Sequence, residues 1–419
     1  MAYRNCYKYF GYIVYIFKRK RYTIYLLQTL ILVEMAVMYI KPASWVEISK
    51  SAFDRNIASY KSIIDPKTKI GIVIKSNAYG HDTATMFNLC QHNPHIDYIC
   101  TNSLSEALLA RSNGVTKKML VISLIDEHPE LAITNNINLI GHSFNQIKQL
   151  NEIGARIQKP AKIHVKVDTG MSRLGFLPEE LYRVIDQIRA MPFIQIEGVF
   201  THFAESSKEN TEFTNFQSNN FKTIIHTLEQ KGTTIPFRHI SNTAGIPQTT
   251  SMKEVNMIRM GAGAFGFYPS EANVALLKNI DNKFNLTPIL SWKTRIMEIK
   301  KIPANRFVGY GRTYTTDRET VLGFLPIGYA DGFDKKLSNK GVVYLSKQKT
   351  FAPIIGLICM NMTIIDLTDV HDVNIADEVK LIGTQKEICA QTIDKLIETE
   401  NPRQVTSKIT PNIPRIIVS

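Results

Sequence analysis

Ile70-Gly-Ile-Val-Ile-Lys-Ser-Asn-Ala-Tyr-Gly-His81 is the stretch that decides the fold. Residues 70–74 are isoleucine, valine and glycine, the composition of a strand covered on both faces. The run stops at Lys75, and a small polar turn with Tyr79 and Gly80 follows. Strands covered on both faces belong to parallel α/β proteins, which keep their chemistry at the strands' carboxyl ends. A partly desolvated lysine there is the residue type that forms Schiff bases.

The pattern repeats outward from this point. Apolar runs of strand length lie at 69–74, 97–101, 118–122, 137–141, 161–167, 195–201, 237–240 and 255–259. Amphipathic segments of helical length lie at 50–63, 82–92, 103–113, 127–134, 143–153, 179–190 and 212–231. Eight βα repeats predict a (β/α)8 barrel, with an open doubly wound sheet as the alternative. After about residue 284 the texture changes. Strand-like runs at 288–301, 320–327, 341–345, 352–357 and 363–367, with one helix at 389–399, predict a mostly-β C-terminal domain. The expected division is an extension over 1–40, a barrel over 41–284 and a β domain over 285–419.

The chain has 419 residues and a formal charge of +13. Residues 1–41 alone hold seven basic side chains (Arg4, Lys8, Lys18, Arg19, Lys20, Arg21, Lys41) against the single acid Glu34. The rest shows no basic stripe interleaved with aromatics, so nucleic-acid binding is not expected. The five cysteines are scattered without metal-ligand or disulfide-framework spacing, so no metal is expected and the pattern fits a reducing cytosol. Residues 22–40 form a mainly apolar run of nearly bilayer-spanning length behind a basic cluster, interrupted by Gln28 and Glu34. Two readings stay open: a membrane anchor, or a natural start at Met38 that leaves out residues 1–37. The second is the favoured expectation, with a cytoplasmic protein.

Polar residues fall where a barrel's mouth would be. Lys75 follows the first barrel strand; Lys166, Asp168 and Arg173 end or follow the fifth; His202 follows the sixth. Asn242 and Thr243 follow the seventh, and Arg259 and Gly261 end the eighth. The last two loops are rich in Gly, Ser and Thr, as phosphate sites made of backbone N–H groups are. A Schiff-base lysine and a phosphate cradle on one barrel face point to pyridoxal phosphate. Taken singly, Arg173 and Arg259 read as rim ion pairs, His202 as a core histidine and Lys166 as a partner of Asp168. Their convergence on one face carries the functional reading.

The strings VIKSNAYGHD, KVDTGMSRLGF, THFA, SNTAG, IRMGAGAFGFYPS, YGRTY, LPIGYADGF and GLICMNMTIIDLTD together resemble bacterial alanine racemase across about residues 41–419. The resemblance implies an isomerase that interconverts L- and D-alanine and supplies D-alanine for peptidoglycan. Lys75 would hold pyridoxal phosphate and act as one base. Tyr329, in LPIGYADGF, matches the second base on the opposite face of the α-carbon. Inverting a stereocentre needs proton removal on one side and delivery on the other. A phenol, with an ordinary pKa of about 10, needs cationic neighbours to act as a base at neutral pH. His202 and Arg259 match those neighbours. Arg259 also matches an arginine facing the pyridine nitrogen, which keeps that nitrogen unprotonated. Arg173 matches a contact to the cofactor's phenolic oxygen and the substrate carboxylate, and Lys166 a lysine carbamylated in some members. Tyr79, Thr243, Gly261 and Ala262 match phosphate contacts, with Asn242 beside them, and Met360 a substrate contact. A homodimer whose β domain completes the partner's site is implied.

Three positions depart from the family's pattern. Asn361 stands where Asp often follows the Cys-Met pair, His81-Asp82 where the turn usually reads His-Gly, and Pro411 where some members carry a tyrosine. Rival readings are a broad-specificity amino-acid racemase, a barrel-type decarboxylase and a non-enzymatic carrier of the same cofactor. The decarboxylase leaves GYADGF unexplained, and the carrier leaves residues 285–419 unexplained.

Overall fold

A computed structural model describes residues 42–125, 128–208, 211–399 and 401–419. The expected extension over 1–40, with its apolar run, lies outside the described residues. Among those described, no helix is long and apolar enough to cross a membrane.

The chain opens with β1 (Ser44–Ser49) and the helix Lys50–Ile63, which Ser49 caps by accepting from the Ala52 N–H at 3.2 Å. The barrel strands follow: β2 (Lys69–Ile74), β3 (Tyr98–Thr101), β4 (Lys118–Val121), β5 (Ile137–Gly141), β6 (Ala161–Lys166), β7 (Ile194–Phe200), β8 (Phe237–His239) and β9 (Met257–Met260). They form one eight-stranded sheet in the order β8-β7-β6-β5-β4-β3-β2-β9, with every pair parallel. The seam between β8 and β9 is bridged by Asn256 N–H to Arg238 O and Arg259 N–H to Ser241 O, both at 3.1 Å. All eight strands lie where the apolar runs predict them, and the barrel reading holds over the open sheet.

Side chains alternate along each strand. On β2, Ile70, Ile72 and Ile74 point outward into the main core beneath the surrounding helices. Gly71 and Val73 point into the lumen, where Val73 packs with Tyr98, Cys100, Leu120 and Met257. A Cβ on Gly71 would lie 2.9 Å from Met257 Cε, so glycine makes room for that methionine. The lumen's floor is aromatic and imidazole: Tyr98 meets Phe237 edge-on, and the ring planes of Phe200 and His239 are 2° apart at 4.9 Å. The period of two then forces what comes next in each inward row. After Val73 comes Lys75, after His164 Lys166, after Phe200 His202, after His239 Ser241 and Thr243, and after Met257 Arg259 and Gly261.

The remaining strands are β10 (Leu290–Arg295), β11 (Glu298–Ile302), β12 (Thr320–Leu325), β13 (Val342–Leu345), β14 (Thr350–Pro353), β15 (Thr363–Asp366), β16 (Glu378–Ile382) and β17 (Arg415–Val418). They build a six-stranded sheet, β14-β13-β16-β10-β1-β17, and a three-stranded sheet, β11-β12-β15. The expected run 288–301 is two strands, β10 and β11, which lie in different sheets. Strands β16 and β17 have no counterpart in the expected runs. Residues 44–49, counted with the barrel in the sequence reading, lie in the six-stranded sheet between β10 and β17. The physical reason is burial. Val46 and Ile48 are fully covered, and Trp292 of β10 donates its indole N–H to Ser44 Oγ at 2.9 Å. Because β1 leads directly into the helix Lys50–Ile63, it ties the β sheet to the barrel.

Candidate active site

Lys75 is extended, but the four residues after it form one turn of left-handed helix, with φ of 52°, 53°, 52° and 56° for Ser76, Asn77, Ala78 and Tyr79. L-residues resist this conformation at about 1–2 kcal/mol each. Local bonds hold the turn. Asn77 Oδ1 accepts from the Thr83 N–H at 3.1 Å, and Asn77 O from the Gly80 N–H at 2.9 Å. His81 Nδ1 lies 2.9 Å from Ala78 O and must be the protonated nitrogen there; burial depresses its pKa to about 3. Asp82 also has positive φ (74°), yet its Oδ2 caps the next helix by accepting from the Thr85 N–H at 2.9 Å. The His-Asp departure thus exchanges a strained backbone for a helix cap.

The inward rows end around one cavity of about 380 Å³ at the barrel mouth. It brings together Lys75, Tyr79, Lys166, Arg173, His202, Asn242, Thr243, Arg259, Gly261 and Ala262 from the sequence reading. Lys75, Lys166, Arg173, Arg259 and Arg403 line it, while no described lining residue is Asp or Glu. Such a cavity suits an anionic occupant. Burial, then Arg403 and Arg173, lower the Lys75 pKa; Glu106 opposes them. Lys166 is 4% exposed, and burial, with Arg259 and Arg173, lowers its pKa to about 7. Its expected partner Asp168 is occupied elsewhere, since Oδ1 accepts from the Gly170 and Met171 N–H groups at 2.8 Å.

Arg259 organises the mouth from below. Nη2 donates to Thr201 O (2.7 Å), Ile240 O (3.1 Å) and His202 Nδ1 (3.3 Å). Nη1 donates to His239 O (3.2 Å) and His239 Nδ1 (2.5 Å). Among the described residues, Nε alone of the three nitrogens has no protein acceptor. Arginine only donates, so His239 Nδ1 must be an acceptor, and the neutral ring carries its proton on Nε2. That proton points at His164 Nδ1, 2.8 Å away. His164 then carries its own proton on Nε2, facing the Asn138 amide at 3.1 Å, which requires Asn138 to present Oδ1 there. The direction of the whole chain follows from one guanidinium. Burial, reinforced by Arg259, depresses the pKa of His164 to about 3 and moves His202 and His239 the same way.

On the opposite wall, Thr243 Oγ1 accepts from the N–H groups of Gly261 (3.0 Å) and Gly263 (3.3 Å), which leaves its hydroxyl proton free to face outward. A Cβ on Gly261 would lie 2.8 Å from Tyr79 Oη, so glycine lets that hydroxyl approach the backbone. Asn242 Oδ1 is spent on Ser206 Oγ and the Gly245 N–H, both at 2.9 Å, and ties two mouth loops together.

Family models for the alanine racemase N-terminal and C-terminal domains match residues 48–269 and 289–417. An alanine racemase of Methanococcus maripaludis is 35% identical over 89% of this chain and 98% of its own length. One from Clostridium tetani is 34% identical over 89% and 95%. The chain belongs to the alanine racemase family. It is an isomerase of the racemase kind. Among solved structures, alanine racemase from Clostridium difficile 630 superposes with a TM-score of 0.83 at 30% identity, covering 90% of this chain and 96% of that one. A Bacillus anthracis alanine racemase with bound L-Ala-P gives 0.79 at 27%, covering 91% and 96%.

Two residues expected at the racemase site lie elsewhere in the single chain. Tyr329 and Met360 are 43% and 56% exposed on the β domain, away from the lumen cavity. Their loops are zipped together by Tyr329 N–H to Cys359 O (3.1 Å) and Ala330 N–H to Met360 O (3.0 Å). A Cβ on Gly328 would lie 2.1 Å from Cys359 O, which shows how closely the two loops pack. Exposed Phe307, Tyr310 and Met362 add to the apolar surface of this domain. Sequence reasoning missed Asn102, Ser206 and Arg403 on the cavity wall, and His164, His239 and Asn138 beneath it. The lumen histidines were within reach, since both lie on expected strands at inward positions.

The neutral histidines make stability depend on pH. Their folded pKa values lie below the unfolded value of about 6.5, so acid puts protons on the unfolded chain first. Stability should be greatest above pH 6.5 and fall as pH drops towards 3. Urea midpoints at several pH values check this, and His164→Asn should flatten the acid-side slope by about one proton. Equal slopes in the parent and His164→Asn would rule the arrangement out.

Proposed function

We propose that this chain racemises alanine with pyridoxal phosphate carried on Lys75, by a two-base mechanism completed by a second copy of the chain. The observation that carries the reading is the lumen-mouth cavity, where a half-buried lysine faces four further cations and no carboxylate among the described residues. Joined to an amino acid's nitrogen, the cofactor makes the α-proton removable. Everything else falls to side chains. Lys75, its pKa lowered, exchanges a proton on one face of the α-carbon. Tyr329 of a second copy serves the other face; of its two expected cationic neighbours only Arg259 is charged, while His202, kept neutral by burial and by Arg259, can offer a hydrogen bond from Nε2 and no charge. Arg259 has its Nε–H left to donate and holds its own proton, so it would leave the cofactor's ring nitrogen unprotonated. Arg259 would thereby limit the electron withdrawal the cofactor supplies and favour return of the proton over side reactions. Arg173 takes the substrate carboxylate, and Met360 of the second copy narrows the pocket. Tyr79, Thr243, Gly261 and Ala262 suit the phosphate, with Asn242 bracing their loop.

The exposed surface around Tyr329 supports a homodimer, since an isolated chain would leave the base and these apolar side chains in water. The product would serve peptidoglycan synthesis in the cytoplasm. Protein starting at Met38 should form D-alanine from L-alanine when given the cofactor, while Lys75→Ala and Tyr329→Phe should each abolish it. Mixing the two inactive variants should restore activity. Random exchange gives half mixed dimers with one intact site each, about a quarter of parental activity. No recovery after proven subunit exchange would contradict sharing of the site.

Lys166 has a further role in this reading. A buried amine with a pKa of about 7 is largely neutral at pH 8 and can add carbon dioxide, releasing one proton. The resulting carbamate would place a negative charge among Arg173 and Arg259. Carbon-13 bicarbonate should give one carbamate resonance at pH 8 that weakens as pH falls below 7 and is absent in Lys166→Arg. A spectrum without that resonance would remove this role.

A further inference from the structure

The strained turn after Lys75 is gripped from the far end of the chain. Arg415, the first residue of β17, donates through Nε (3.2 Å) and Nη2 (2.9 Å) to Gly80 O. Its remaining N–H groups go to Thr410 O (2.7 Å), Ile413 O (2.5 Å) and Ile409 O (3.1 Å). One planar guanidinium thus places five donors on four carbonyls, three in the C-terminal segment and one across the boundary between the domains. No described carboxylate forms an ion pair with it. Lysine, a single point donor, cannot reproduce this fork.

The approach is backbone to backbone. Gly80 has φ of 90°, and a Cβ there would lie 1.9 Å from Thr406 O, in the helix Pro402–Ser407. That helix also carries Arg403 to the cavity. The grip is anchored in turn, because Val46 pairs with Arg415 and donates its N–H to Pro414 O at 2.9 Å. A continuous path runs from the six-stranded sheet through Arg415 to Gly80, and from Gly80 into the left-handed turn that bears Tyr79 and begins at Lys75.

We propose that Arg415 is a positioning residue of the active site: it clamps Gly80 so that the left-handed turn, and with it Lys75 and Tyr79, is held at the barrel mouth by the chain's own β domain. The β domain then has two separable tasks, holding the lysine of its own subunit and offering Tyr329 to another. The clamp itself rests on the function above only for the identity of the cofactor; the second task, offering Tyr329, rests on it wholly.

The test compares the full chain with Arg415→Lys and Arg415→Ala by hydrogen exchange and by pyridoxal phosphate titration of the cofactor-free protein. Arg415→Lys keeps the charge and guards against a failure of Arg415→Ala to fold. Losing the fork's bonds to Gly80 should speed exchange in residues 76–82 on the order of tenfold. Barrel strands such as 137–141 should exchange as in the parent. Cofactor affinity should fall by a similar factor, and added guanidinium ion should restore it in Arg415→Ala. Parental exchange over 76–82 in a folded variant would overturn the proposal, as would exchange raised evenly across the barrel. If the parent itself fails to bind the cofactor, the function above fails and the exchange pattern still decides on the clamp.

Discussion

The two-residue period of strands in a closed barrel governs this molecule. Because Gly71 and Val73 face the lumen, Lys75 must as well, and the same parity delivers Lys166, His202 and Arg259. The barrel therefore sorts its inward rows by height, with aromatic rings and neutral imidazoles below and cations above. Gathering five basic side chains around about 380 Å³ with no carboxylate among the described lining residues is unfavourable on its own. Buried Lys166 answers with a lowered pKa, and Arg259 by sharing its charge among carbonyls and imidazoles. An anionic occupant relieves the same repulsion, so binding and electrostatic relief coincide.

The arginine also dictates events well below the mouth. Since Arg259 can only donate, its demand passes through His239 and His164 to Asn138, and each link leaves one allowed proton position. The guanidinium is held as a cation whose Nε is reserved for the cavity. A carboxylate in its place would reverse every link.

Much of this was legible in the sequence because parallel barrel strands are continuous apolar runs that stop abruptly at polar residues. Ile70–Ile74 ending at Lys75, and the run into Lys166, mark both the strand and the site. What was not legible depends on distance or on backbone conformation. Ser44–Ser49 reads as the barrel's approach, yet it pairs with strands some 250 and 370 residues away. Short β17, after Pro414, has no alternating pattern to announce it. The left-handed turn is invisible because Ser76, Asn77 and Ala78 carry no signal for positive φ in series. Arg403 and Arg415 reach the site only through that distant pairing. Tyr329 and Met360 stand out in the sequence as part of the resemblance, but the single chain leaves them on its surface, and the proposed second copy is what would bring them to a site.

The proposed chemistry stands or falls with the lumen lysine as the cofactor's carrier. Reducing the cofactor-loaded protein with borohydride and mapping the labelled peptide tests it most directly. A stoichiometric phosphopyridoxyl group on Lys75, with none on Lys166, is the expected result. A label on Lys166, or no fixed label on a protein that binds the cofactor, would contradict it.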